Sequence, residues 1–162
     1  MADKDTHKHA FVRLMTDENR QRSIWPLLIE KAYAKMHGSY DSIVGGSVAT
    51  ALEHLTNGIS QFIDMRSSET DQQYNTGELW SKLQFYRQKS YLMGAGSPNG
   101  SDSDVSELGI VFGHAYSILD VAEIDGFKLI QLRNPWGSET EWKGPWGDNS
   151  KEWNERRKRI AY

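Results

Sequence analysis

The sequence predicts an α+β fold in which three helices are followed by an antiparallel sheet. Helical spacing of apolar residues is confined to the first half of the chain. The strongest hairpin signal, Asp125-Gly126 between two apolar runs, lies in the second half of the chain. Strands and helices do not alternate along the sequence, so a parallel sheet is not expected. The 162 residues, of which 38% are hydrophobic and 11% aromatic, suit one domain or a subdomain of a larger enzyme.

The first predicted helix runs from about Ile24 to Met36. Ser23 suits its cap position, Pro26 suits its first turn, and Gly38 can end it in a left-handed conformation. Four residues share one stripe and are expected to face the core, namely Trp25, Leu28, Ala32 and Met36.

Two further helices are predicted at Val48–Thr56, ending at Asn57-Gly58, and at about Gly77–Gln88, capped by Asn75 or Thr76. Their expected buried residues are Val48, Leu52 and Leu55 in the earlier helix and Leu79, Leu83 and Tyr86 in the later one.

The strand predictions begin with a short segment, Phe11–Leu14, which follows a flexible N-terminal segment at residues 1–10. Ser90–Ala95 is predicted as a strand, and Ala115–Ile124 and Phe127–Arg133 as a hairpin. Between them, Gly96–Leu108 is longer than the usual loop of about 4–6 residues, which favours either a binding loop or disorder.

Composition excludes several classes of function. The net charge of −3, from 19 basic and 22 acidic residues, gives no field that recruits nucleic acid or an anionic membrane. No stretch approaches the roughly 20 apolar residues of a membrane span, and no secretory signal opens the chain, so a cytoplasmic protein is expected. Cysteine is absent, which excludes disulfides and a cysteine nucleophile within this chain. The basic run Arg156–Arg159 is interpreted as a solvated helix face.

Two polar residues bracket the hairpin, His114 before its first strand and Asn134 after its second. An imidazole can act as a general base when it is held in one tautomer, and an amide oxygen that accepts from its ring N–H can do this. The alternative is a hydrogen-bonded structural histidine, and spacing alone favours that alternative.

Strand register tests this pairing. With a two-residue turn at Asp125-Gly126 and regular strands, Ser117 lies opposite Asn134, and His114 lies on the other face. With a three-residue loop the pairing shifts by one, so that Tyr116 faces Asn134 and His114 shares their face. A His114–Asn134 pair therefore predicts the three-residue loop, a nearby bulge, or an Asn134 that has left the ladder.

The sequence also resembles the calpain family of cysteine proteases over about residues 10–162. The resemblance lies in Gly113-His-Ala-Tyr-Ser117, in Arg133-Asn-Pro-Trp-Gly137, in Glu141-Trp142 with Trp146-Gly-Asp148, and in residues 25–40 with Gly45-Gly46-Ser47. It implies that residues 11–162 are the C-terminal, His- and Asn-bearing subdomain of a papain-like catalytic core, truncated at its C-terminal end.

The resemblance also implies roles for particular residues. His114 is the general base, Asn134 orients it, and Trp136 covers their hydrogen bond. The loop beside the substrate cleft contributes Gly96, Ser97, Asp102 and Asp104. Glu141 and Asp148 correspond to calcium ligands, although Ca²⁺ takes 6–8 oxygens. Asp148 also suits the cap of a helix around Ser150–Arg159.

The chain departs from the family pattern because it has no cysteine and no match to the Gln-Gly-x-x-Gly-Asp-Cys-Trp signature. Three interpretations follow. The chain is half of a calcium-dependent endopeptidase that cuts protein substrates only with a Cys-bearing N-terminal subdomain, or it is a non-catalytic calpain-like interaction module. An unrelated serine hydrolase is disfavoured because no G-x-S-x-G elbow is present.

Overall fold

The computed structural model describes residues 24–101, 103–136 and 141–161. The predicted strand Phe11–Leu14, the cap Ser23 and the loop residue Asp102 lie outside these ranges, as does the predicted domain boundary after residue 10. The described residues fall into two compact units, one up to Ser47 and the other from Val48 onward.

In the first unit, helix α1 spans Trp25–Met36, with Pro26 in its first turn. Gly38 follows it with a φ of 97°, the left-handed conformation that was predicted. The predicted buried stripe is wrong: Trp25, Leu28 and Met36 are 62%, 59% and 59% exposed, and Ala32 is exposed too. Ala34 is buried instead. The prediction failed because periodicity identifies residues that share a face but not whether anything covers that face.

The second unit opens with helix α2, Val48–Thr56, whose bounds match the prediction. Asn57 ends it in a left-handed conformation with a φ of 55°, which asparagine tolerates better than most residues. Val48 and Leu52 are half-buried, but Leu55 is 55% exposed, so its predicted burial is wrong.

Two helices follow where one was predicted. Helix α3 spans Ser68–Thr76, and the Ser67 side chain caps it by accepting a hydrogen bond from the Thr70 backbone N–H. Helix α4 spans Glu78–Gln88, and its N-cap is Gly77, with a φ of 81° and no side-chain cap. The predicted caps Asn75 and Thr76 are therefore wrong, since both lie within α3.

Helix α4 buries Leu79, as predicted, and half-buries Leu83 and Tyr86. Near its C-terminal end, the Arg87 guanidinium donates hydrogen bonds to both carboxylate oxygens of Asp120. The Asp120 carboxylate raises the pKa of Arg87 through this contact. The ion pair ties the helix to the sheet.

The sheet has three antiparallel strands in the order β1-β2-β3, which confirms the α+β prediction. Strand β1 is Met93–Gly96, slightly later than predicted. Strands β2 and β3 are Ala115–Ile124 and Phe127–Arg133, with the predicted bounds. The core of this unit is formed by Leu79, Val111, Tyr116, Val121 and Ile124.

The hairpin register combines a two-residue turn with a bulge. Ile124 pairs with Phe127, so the turn is Asp125-Gly126, with φ values of 52° and 82°. Asp120 pairs with Gln131 but Ile118 pairs with Leu132, which leaves Leu119 as the extra residue. The bulge shifts the register by one, so that Ser117 pairs with Arg133 rather than Asn134.

The last helix, α5, spans Glu155–Ala161, and the Asn154 side chain caps it by accepting from the Arg157 backbone N–H at 2.9 Å. A helix was predicted around Ser150–Arg159; α5 begins five residues later, so the predicted cap Asp148 is wrong. The described residues before it, 141–154, form no helix or strand, and two indole N–H groups donate to backbone carbonyls there: Trp142 to Pro145 and Trp153 to Gly147. No helix in the described part of the chain is long and apolar enough to cross a bilayer.

The basic run on α5 is only partly the solvated face that was predicted. Arg156 Nη1 and Arg157 Nε each donate to one carboxylate oxygen of Asp125, both at 2.8 Å. The Arg157 guanidinium also lies 5.3 Å from the Trp146 ring centre, a cation–π contact. These contacts fasten α5 to the tip of the hairpin.

Substituting Asp125→Asn should loosen α5 without disturbing the turn, since Asn-Gly suits the same left-handed turn. The two guanidinium hydrogen bonds lower the pKa of Asp125. The ion pair of Asp125 therefore stabilises the folded chain fully above the ordinary aspartate pKa of about 3.9. This stabilisation is lost as the pH falls through the lowered pKa of Asp125 in the folded state. Amide exchange in α5 should be faster in the variant at neutral pH, and the two proteins should converge in strong acid. Equal exchange at neutral pH would contradict the role of this ion pair.

Candidate active site

His114 and Asn134 meet at the open end of the hairpin. The His114 Nε2 atom lies 2.9 Å from the Asn134 Oδ1 atom, and both residues are half-buried. The bulge at Leu119 brings Asn134 into line with Tyr116, and His114 lies two residues before Tyr116 on the same face. Asn134 also follows the last ladder residue of β3. Of the three arrangements that would allow the pairing, the structure has the bulge, and Asn134 also lies just beyond the ladder.

The hydrogen bonds of Asn134 determine its orientation and the tautomer of His114. The Asn134 Oδ1 atom also accepts from the Trp136 backbone N–H at 3.1 Å, an arrangement typical of a turn. Because that N–H can only donate, the atom facing it must be the amide oxygen. An oxygen facing Nε2 requires Nε2 to carry the proton, which leaves Nδ1 of neutral His114 with its lone pair free to act as a base.

The Asn134 Nδ2 group is buried and has no hydrogen-bond partner among the described residues. A buried amide donor without an acceptor costs about 1–3 kcal/mol. That cost opposes the fold of the turn, and the two hydrogen bonds accepted by Oδ1 act against it.

Two aromatic rings contact the imidazole of His114. The Trp136 ring centre lies 4.3 Å from it at 55°, and the Tyr116 ring centre lies 5.0 Å from it in a nearly perpendicular arrangement. Such contacts limit water access to the His114–Asn134 hydrogen bond, which strengthens it. The expected role of Trp136, to cover the hydrogen bond between His114 and Asn134, stays a prediction, to which this ring contact lends support.

Ser97 holds the backbone of His114. The His114 N–H donates to Ser97 Oγ at 2.8 Å, and the His114 carbonyl accepts from the Ser97 N–H at 2.9 Å and from its hydroxyl at 3.1 Å. The predicted loop residue Gly96 is the last residue of β1 and pairs with Ala115. Gly96 is therefore a strand residue and its predicted place in the loop is wrong, whereas Ser97 directly contacts His114.

Asp104 lies farther along the predicted loop and serves the loop itself. Its Oδ2 atom accepts from the Ser101 N–H at 3.3 Å, and its carbonyl accepts from the Phe112 N–H at 2.9 Å. The adjoining residues Val105 and Val111 form an isolated antiparallel bridge. The described part of this loop is thus organised by hydrogen bonds.

The predicted calcium ligands Glu141 and Asp148 are both exposed. No group of three or more His, Asp or Glu residues within ranges 24–101, 103–136 and 141–161 could hold a metal ion. Two carboxylates are far from the 6–8 oxygens that Ca²⁺ takes. These residues do not by themselves fit a calcium site.

Comparison with known proteins identifies the family to which this chain belongs. Residues 4–161 match the model described as "Calpain family cysteine protease". The chain belongs to the calpain family. Over 139 residues it is 55% identical to the calpain-type cysteine protease DEK1 of Zea mays, covering 86% of this chain.

Animal calpains are also similar to this chain. It is 38% identical over 144 residues to Calpain-A of Drosophila melanogaster and 42% identical over 137 residues to Calpain-8 of Mus musculus, covering 82% and 80% of this chain. These stretches are 6%, 16% and 18% of the maize, fly and mouse relatives. The chain therefore spans less than a fifth of the length of these calpains.

Calpain membership confirms the family resemblance. Two contacts of the site were not predicted from the sequence. Tyr116 entered the predictions through the register test and through the calpain-like motif at residues 113–117, but its ring contact with His114 was not predicted. Ser97 was predicted to lie in a loop, but its hydrogen bond with the His114 backbone was not predicted. Strand alternation was a signal for Tyr116, since residues 114 and 116 share a face, whereas no local pattern indicated the contact between residues 97 and 114.

Proposed function

We propose that this chain is the His- and Asn-bearing half of a calpain-type cysteine endopeptidase and that its nucleophile comes from a Cys-bearing segment outside it. The observation that carries the proposal is the 2.9 Å contact between His114 Nε2 and Asn134 Oδ1. It leaves the Nδ1 lone pair available, as a general base requires. The absence of cysteine from the 162 residues means that the chain cannot supply the thiolate.

In the proposed mechanism, His114 Nδ1 takes the proton of the cysteine thiol, and the resulting thiolate attacks the scissile carbonyl. The imidazolium then returns the proton to the leaving amine. Asn134 keeps the ring oriented throughout because its Oδ1 atom accepts a hydrogen bond from the Nε2–H group. Trp136 and Tyr116 shield that hydrogen bond from water.

A chimeric calpain tests the proposal. The 139 matching residues of this chain would replace the corresponding stretch of the maize relative, and the rest of the maize protein would supply the cysteine. Cleavage of a fluorogenic peptide would then be measured. We expect the chimera to cleave the peptide and the isolated chain not to cleave it, with or without calcium. A folded chimera that is inactive while its parent is active would favour a non-catalytic calpain-like interaction module instead.

Calcium dependence is the part of the proposal that rests on family resemblance. We expect calorimetric titration of the isolated chain to show weak or no Ca²⁺ binding, because Glu141 and Asp148 are two of at least six ligands needed. Micromolar affinity that disappears in Glu141→Ala would contradict this expectation.

A further inference from the structure

Tyr116 is a buried tyrosine, only 8% exposed, that contacts both His114 and the loop before it. It lies on strand β2 two residues after His114, so both side chains point to the same face. Its ring meets the imidazole at 5.0 Å between centres and an angle of 89°. This perpendicular arrangement is one that aromatic pairs prefer, and it restricts rotation of the imidazole.

The hydroxyl of Tyr116 is fixed independently. It accepts a hydrogen bond from the Val111 backbone N–H at 2.9 Å, and Val111 is completely buried. The neighbouring bridge uses the Ser106 and Phe112 N–H groups as donors and leaves the Val111 N–H for the hydroxyl. A buried N–H group needs an acceptor, so this contact anchors the tyrosine to the loop.

The same loop is also attached to the backbone of His114. Ser97 exchanges three hydrogen bonds with the His114 backbone, and the Gly113 N–H donates to the Pro98 carbonyl at 2.8 Å. The loop thus begins and ends against His114. A displacement at Val111 has a direct path to the imidazole through the Tyr116 ring.

We infer that Tyr116 is a positioning residue, which holds the His114 imidazole against Asn134 and couples its orientation to the described loop residues, 97–101 and 103–113. The inference rests on the proposed function only for its catalytic meaning. The coupling itself is a property of this chain and can be measured without protease activity.

Nuclear magnetic resonance of the full 162-residue chain tests the coupling. Tyr116→Phe removes one oxygen and keeps the ring, Tyr116→Leu removes the ring, and Tyr74→Phe on α3 is a control at a tyrosine that is 69% exposed. The measurements are exchange of the Val111 amide and of the His114 Nε2 proton. In Tyr116→Phe, both should exchange at least about tenfold faster than in the wild type, because one hydrogen bond is removed and the other loses its support.

The two exchange rates also separate positioning from a purely structural role. A faster Val111 amide with an unchanged His114 Nε2 proton in Tyr116→Phe would overturn the inference, as would no change in either. Tyr116→Leu should also remove the perpendicular ring contact, and the chemical shifts of the His114 ring protons should change as a result. If that variant does not fold, Tyr116→Phe alone decides. An inactive chimera combined with the expected exchange rates would refute the proposed function and leave this inference standing.

Discussion

Replacing His114 with alanine in the chimeric calpain should lower kcat/KM for peptide cleavage by about 10⁴-fold or more, the size of loss seen when a member of a catalytic triad is removed. The reason is that no other group would take the thiol proton from the position of Nδ1 or protonate the leaving amine. Substrate binding should change much less, so the loss should appear mainly in kcat. The measurement is steady-state cleavage of the fluorogenic peptide.

Two variants frame this result. Asn134→Ala leaves the base in place but frees its ring, so an intermediate loss of about 10²-fold is expected, as for misplacement of a reacting group. His54→Ala, at an exposed histidine in the last turn of α2, is the matched control and should retain the parental rate. Cleavage by His114→Ala within tenfold of the parent chimera would refute the assigned base.

The second large effect is expected on stability, from Gly113→Ala. Gly113 has a φ of 57°, and an added Cβ would lie 2.3 Å from the Gly100 carbonyl oxygen, which is backbone and cannot simply rotate away. The left-handed conformation and the steric overlap together should cost about 3 kcal/mol or more in free energy of unfolding. Urea unfolding of the 162-residue chain measures this directly.

Gly126→Ala is the matched control, because Gly126 is also left-handed, with a φ of 82°, but an added Cβ meets nothing within 4 Å. It should cost only about 1–2 kcal/mol, the conformational part of the penalty. Equal losses for the two variants would show that the loop containing Gly100 yields easily. The hydrogen bonds from Gly113 to Pro98 and from His114 to Ser97 argue against such a yielding loop.

The hairpin was predictable because local chemistry specifies it. Asp125-Gly126 adopts left-handed conformations that few other pairs tolerate, and the flanking apolar runs end where the strands end. Helix α3 was missed because its sequence, SETDQQYNT, has almost no apolar residues, and periodicity cannot detect such a helix. Its signal was Ser67, whose side chain caps the first turn.

Burial was predicted less well than secondary structure. The apolar stripe of α1 is helical as predicted, yet Trp25, Leu28 and Met36 are largely exposed. Spacing specifies which residues share a face, whereas coverage of that face depends on tertiary contacts that no local pattern encodes. The same limit explains Leu55 on α2.

The candidate site was predictable up to one unresolved choice of register. Spacing alone favoured a structural histidine, and the catalytic roles of His114 and Asn134 were predicted from the family resemblance. The sequence left three arrangements open: a three-residue loop, a bulge, or an Asn134 outside the strand ladder. The bulge at Leu119 removes that ambiguity, and nothing about Leu119 in sequence marks it as an extra residue. The contacts of Ser97 with His114 join residues 17 apart in the chain and are equally invisible to local patterns.

This chain alone should fix His114 with its proton on Nε2 and its lone pair on Nδ1. Nitrogen-15 magnetic resonance of the imidazole in the full chain, at a pH where His114 is neutral, tests it most directly. We predict one dominant tautomer protonated at Nε2, and a mixture of tautomers in Asn134→Ala. A dominant Nδ1-protonated tautomer, or a tautomer that Asn134→Ala leaves unchanged, would contradict the account.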